Sequence, residues 1–89
     1  MIRLNKKEKQ AMGARLKAAR DVAGLGVREV TFRLGVSSTN TVKGWENGSL
    51  PSEELRAEVA ELYGRPERVL FAEYYAHIDA ALALLEATA

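Results

Sequence analysis

The sequence predicts an all-α domain of five helices, and three observations predict it. Apolar residues recur at the three- and four-residue spacings of a helix face. The alternation that would mark a strand appears nowhere. Both prolines and most glycines fall where helices should begin or end. Eighty-nine residues make one domain, spanning 1–89. So short a chain buries roughly 60–65% of its unfolded surface, enough for one core but not for a deep substrate cavity beside it.

Asn5-Lys6-Lys7-Glu8 has the form of a capping box, in which Asn5 accepts from the amide of Glu8 and Glu8 reaches back. The first helix should run from there to about Val22. Met12, Leu16, Ala19 and Ala23 share one face of it, and Gly24-Leu25-Gly26 stops it. The second segment is Val27 to Leu34, with Val30 and Leu34 inward. Gly35 then permits a left-handed turn. Ser37 and Ser38 are natural N-caps for a third helix over about Thr39 to Glu46, which Asn47-Gly48 ends. Ser52 caps a fourth helix whose Leu55, Val59 and Leu62 face inward, and Gly64 stops it. Pro66 suits the first turn of a fifth helix, and nothing breaks the pattern from about 66 to 87. In it, Phe71, Tyr75, Ile78, Leu82 and Leu85 form a heptad-like stripe suited to a homodimer contact.

The charge is uneven along the chain. Residues 1–48 hold ten Lys/Arg against four acids, net +6, whereas residues 49–89 hold three against eight, net −5. A basic half joined to an acidic half suggests one face aimed at a polyanion and one turned away from it. Several other classes are excluded. There is no cysteine and a single histidine, which argues against disulfides and zinc clusters. His77 has no second ligand nearby in sequence, and Glu73, Asp79 and Glu86 read as solvated. No nucleophile-and-base set and no Gly-rich phosphate loop appears, so neither an enzyme nor a cofactor or small-molecule ligand is expected. Neither a membrane span nor a secretory signal is present, and the expected location is the cytoplasm.

The informative stretch is Leu25 to Ser37 followed by Val42-Lys43-Gly44-Trp45-Glu46-Asn47-Gly48. Two short helices joined by a tight glycine turn are a compact way to present the second helix to the major groove of DNA. Its outer side should be polar, as Thr39, Asn40 and Lys43 are. Its inner side should lock onto its predecessor, a task for Val42 and Trp45.

These residues carry a family resemblance. Gly13, Arg15-Leu16, Arg20, Leu34-Gly35-Val36-Ser37, Val42 to Gly48, Pro51-Ser52 and Leu70-Phe71 occur in the order seen in the phage repressor and Cro helix-turn-helix family, also called XRE-type. The chain resembles that family over about residues 13–71. It departs from the pattern in four places. The turn before Val42 is one residue longer than usual. Val27 stands where the family often has a phosphate-touching Gln. Thr31 replaces a small Ala, and Phe32 occupies a position that is usually polar.

The resemblance implies a repressor-like fold and a sequence-specific, double-stranded DNA-binding transcriptional regulator that occludes promoters. Under it, Thr39, Asn40 and Lys43 read base edges; Asn40 has amide geometry for adenine and Lys43 can donate to guanine. Ser37, Ser38 and Thr41 contact phosphates, with Lys17, Arg28 and Arg33 as further phosphate contacts. Arg20 and Glu46 match a pair that bridges the first helix to the end of the recognition helix, a structural role. Dimers of this kind read half-sites about 34 Å apart. A second reading takes the chain as an antitoxin or other interaction module whose acidic, alanine-rich C-terminal helix engages a partner protein.

Overall fold

The computed structural model describes residues 2–88. It is all-helical, with six helices in the order α1 (Lys6–Val22), α2 (Val27–Leu34), α3 (Thr39–Glu46), α4 (Glu53–Tyr63), α5 (Glu67–Leu70) and α6 (Ala72–Thr88). There is no strand among the described residues. No helix among them is long and apolar enough to cross a membrane.

The ends of α1 follow from local chemistry. The amide of Glu8 donates to Asn5 Oδ1 at 2.8 Å, and the amide of Asn5 donates to Glu8 Oε1 at 2.9 Å. This reciprocal box satisfies two amides that the first turn would otherwise leave without partners. At the far end the C-cap is Ala23, which is exposed and not part of the inward face the spacing predicts. Ser52 Oγ accepts from the amide of Leu55, and Glu53 and Glu54 lie in the first turn of α4, where the helix dipole favours acids.

One core joins every element. Met12 and Leu16 from α1, Val30 from α2, Val42 and Trp45 from α3, Val59 and Tyr63 from α4, and Leu70 with Phe71 from the α5–α6 junction are all buried. Full burial of such a side chain contributes roughly 1.5–3 kcal/mol. Leu34, Leu55 and Leu62 lie against this cluster only half-buried.

The long fifth helix expected from 66 to 87 is divided. Phe71 leaves helical geometry at φ −112° and ψ 39° and separates α5 from α6. Its side chain has no exposure at all, so Phe71 belongs to the core and not to a dimer contact. Neither Gly nor Pro marks the break. The core takes in the ring, and the periodic pattern on either side gives no sign of it.

Polar side-chain contacts tie α6 to α1 and to α5. Arg15 on α1 grips Glu73 bidentately at 2.7 and 2.8 Å and also donates to the carbonyl of Leu70. The Arg15 guanidinium holds the Glu73 carboxyl below the usual range. His77 Nε2 meets Glu8 Oε2 at 2.8 Å, and Arg68 meets Asp79 at 3.0 Å. Glu73 and Asp79 are therefore paired where the sequence suggested solvated side chains, because folding brings α1 and α5 beside them. Arg56, buried on α4, donates to the carbonyl of Pro51 at 2.7 Å and stacks 4.5 Å from the Tyr74 ring centroid.

Candidate nucleic-acid interface

The α2–α3 pair is built around one turn. Gly35 takes φ 67° and ψ 25°, in the left-handed region. The amide of Val36 then donates back to the carbonyl of Thr31 at 3.2 Å, closing the end of α2, and Val36 tucks against the core. A residue with a Cβ would be strained at that torsion. Thr31 Oγ1 donates to the carbonyl of Val27 at 2.8 Å, so this hydroxyl is satisfied within its own helix.

α3 begins after Ser38, whose backbone is extended. No side-chain hydrogen bond caps this helix, so the Ser37 and Ser38 side chains, both exposed, do not perform the capping role expected of them. Val42 and Trp45 are buried and hold the inner side of α3 to the core. Asn40 and Lys43, one turn apart, are exposed on the other side, while Thr39 and Thr41 are half-buried at its flanks. Lys43 makes no ion pair among the described residues. Gly44 lies one turn beyond Asn40 and opens a gap in this face; the nearest atom to a Cβ there would be Ser49 Oγ at 3.9 Å.

The far end of α3 is clamped to α1. Arg20 Nε donates to Glu46 Oε2 at 2.7 Å and Nη2 donates to Oε1 at 3.1 Å, while Nη1 donates to the carbonyl of Leu25 at 3.0 Å. The two side chains are only 10% and 11% exposed. Hydrogen bonding to Glu46 holds the guanidinium pKa above its ordinary value. Burial, helped by the Glu46 charge, pushes the nearby Tyr63 phenol up to about 12, so it stays neutral. The clamp joins α1, the α1–α2 loop and α3 at one point and leaves no part of itself for a ligand.

The remaining basic residues divide. Arg28 is exposed and makes no ion pair among the described residues. Arg33 is tied to Glu29 at 3.1 Å, an intrahelical pair that competes with any phosphate. Lys17 is exposed and lies one turn from both Gly13 and Arg20, the two α1 residues that meet Glu46. It therefore stands on the side of α1 nearest the end of α3. Phe32, 87% exposed, lies one turn after Arg28 and does not pack under the C-terminal helix.

Sequence reasoning missed four polar residues near this face. Asn47 is exposed one turn after Lys43, and its spacing could have shown that it continues the α3 face beyond the helix stop. Lys9 lies against Gly48, and with Arg3, Asn47 and Ser49 it lines an open groove of about 530 Å³ beside the end of α3. No sequence signal joins Lys9 to Ser49, because only the docking of α1 against α3 brings them together. Comparison with protein-family models, with curated proteins and with solved structures finds no match to this chain.

Proposed function

We propose that the chain is a sequence-specific, double-stranded DNA-binding regulator of the repressor-like helix-turn-helix kind, with α3 as its recognition helix. The observation that carries this reading is the two-sided character of α3. Val42 and Trp45 are buried, and the opposite side offers an amide (Asn40) and an ammonium (Lys43) to solvent. An eight-residue helix propped in this way has the width and chemistry to enter a major groove.

The roles follow from position. Asn40 and Lys43, with Thr39 beside them, read base edges. Ser37, Ser38 and Thr41, at the start of α3, meet phosphate oxygens through hydroxyls and free helix amides. Arg28 and Lys17 add sequence-independent attraction, and the basic charge of residues 1–48 gives it a direction. Arg20 and Glu46 position α3 without touching DNA. Occupation of a promoter by the bound protein suffices for regulation, and no ligand or catalytic step is required.

Selection of bound sequences from random duplex DNA tests the reading. Enrichment of a shared motif, with binding that weakens steeply as salt rises, is the expected result. Recovery of the input distribution would overturn it.

A further inference from the structure

The C-terminal part of α6 has no cover. α6 runs along α1 toward its start, with Glu73 beside Arg15 and His77 beside Glu8. Every residue from Asp79 to Thr88 is exposed. Beyond Asp79, which pairs with Arg68, residues 80–88 form about 14 Å of helix that is exposed throughout. Leu82, Leu84 and Leu85 are 50%, 67% and 65% exposed, and between Ala80 and Thr88 the one charged residue is Glu86. A short helix that is apolar on most sides is marginal in water and gains stability by burial.

The opposite end of α1 carries an apolar cleft. Ala18, Ala19 and Val22 on α1 and Val69 and Leu70 around α5 line an apolar cleft of about 220 Å³, rimmed by Arg15 and Arg65. Val22 is 73% exposed and Val69 52%. Arg15 is engaged by Glu73, whereas Arg65 makes no ion pair among the described residues. The chain thus carries an acidic-tipped apolar projection and a basic-rimmed apolar cleft at opposite ends of one helix.

We infer that the α6 projection of one copy docks in the α1–α5 cleft of a second copy, leucines against Val22 and Val69, with Glu86 meeting Arg65. Two such contacts made reciprocally close a two-fold dimer and leave neither projection in solvent. The charges on the two surfaces are opposite, so the chain complements itself. This association does not rest on DNA binding.

Sedimentation equilibrium of the free protein tests it, with circular dichroism confirming that each variant is folded. The unmodified chain is expected at twice its monomer mass at tens of micromolar. Leu85→Glu and Val22→Glu each alter an exposed position, and each should raise the dimer dissociation constant about tenfold or more by forcing a charge into an apolar contact. Mixing the two variants should restore part of the association, since one projection and its opposing cleft remain intact in the mixed pair. Glu86→Arg should weaken the dimer, and adding Arg65→Glu should recover it. A monomeric unmodified chain overturns the inference. So does a Val22→Glu variant that dimerises as well as the unmodified chain, because the projection would then be covered by something other than the cleft.

Discussion

Gly13 on α1 faces the carbonyl of Glu46 at the end of α3 so closely that a Cβ on residue 13 would overlap the carbonyl oxygen and lie 2.7 Å from the carbonyl carbon. α1 and α3 therefore touch backbone to backbone. The Arg20–Glu46 clamp closes over this contact, and together they set the angle at which α3 presents Asn40 and Lys43.

Gly13→Ala should cost about 1–3 kcal/mol, because the obstacle is backbone and cannot swing aside. Gly44→Ala should do the opposite. Its position in the middle of α3 has free space, and removing a helical glycine there should stabilise by about 1 kcal/mol or less. Urea titration of the two variants checks both signs. If Gly44→Ala is more stable but binds DNA more weakly, close approach of the α3 backbone to the groove is the reason for the glycine.

Removing one member of the clamp should be worse than removing both. Arg20→Ala or Glu46→Ala leaves a largely buried charge without its partner, a loss of about 3–5 kcal/mol, whereas the double variant strands neither. A double-mutant cycle measures the difference. Equal losses in the single and double variants would contradict a structural ion pair.

Acid should loosen the hold of α1 on α6. The Arg15 hydrogen bonds depress the Glu73 pKa, and the Asn5 amide, with a smaller contribution from His77, depresses that of Glu8. Above the unfolded carboxylate value of about 4.3 the unfolded chain binds no extra protons at these sites, so their stabilisation is complete. As pH falls through the lower folded values, both carboxylates protonate and the contribution is lost. Thermal melts taken downward from neutrality should show the melting temperature falling in that window. Glu73→Gln, already without this charge, should show a shallower fall.

Asn40→Ala and Arg28→Ala should separate two kinds of DNA contact. On the proposed reading, the first removes a base-reading amide and should relax sequence preference at one position, at about 1–3 kcal/mol. The second removes a charge and should weaken all duplexes alike while reducing the salt dependence. Competition binding against operator and random duplexes measures both. Unchanged preference in Asn40→Ala would remove it from the base-reading set.

Several helix ends were legible because their causes are local. Asn5 and Glu8 bond each other within one turn, Ser52 bonds Leu55 within one turn, and Gly35 needs only its own torsion. The inward faces of α1 and α3 were legible for the same reason, since Met12 with Leu16 and Val42 with Trp45 repeat at the period of a helix. The pairing of Glu73 with Arg15 was not, as 58 residues separate them. Nor was the break at Phe71, where a burial demand from the core overrides a pattern that on both sides still reads as helix. Ser38 shows the reverse case: a residue suited to capping leaves its own helix uncapped.

The order of residues by itself determined that this chain is helical, where most of its helices begin, and which side of each is apolar, because those properties depend on neighbours within one or two turns. Tertiary structure decided the rest. It put Lys9 beside Ser49, buried Phe71, paired Asp79 with Arg68, and left the leucines of α6 outside the core. Each of these depends on how helices distant in sequence meet, and no local period encodes that.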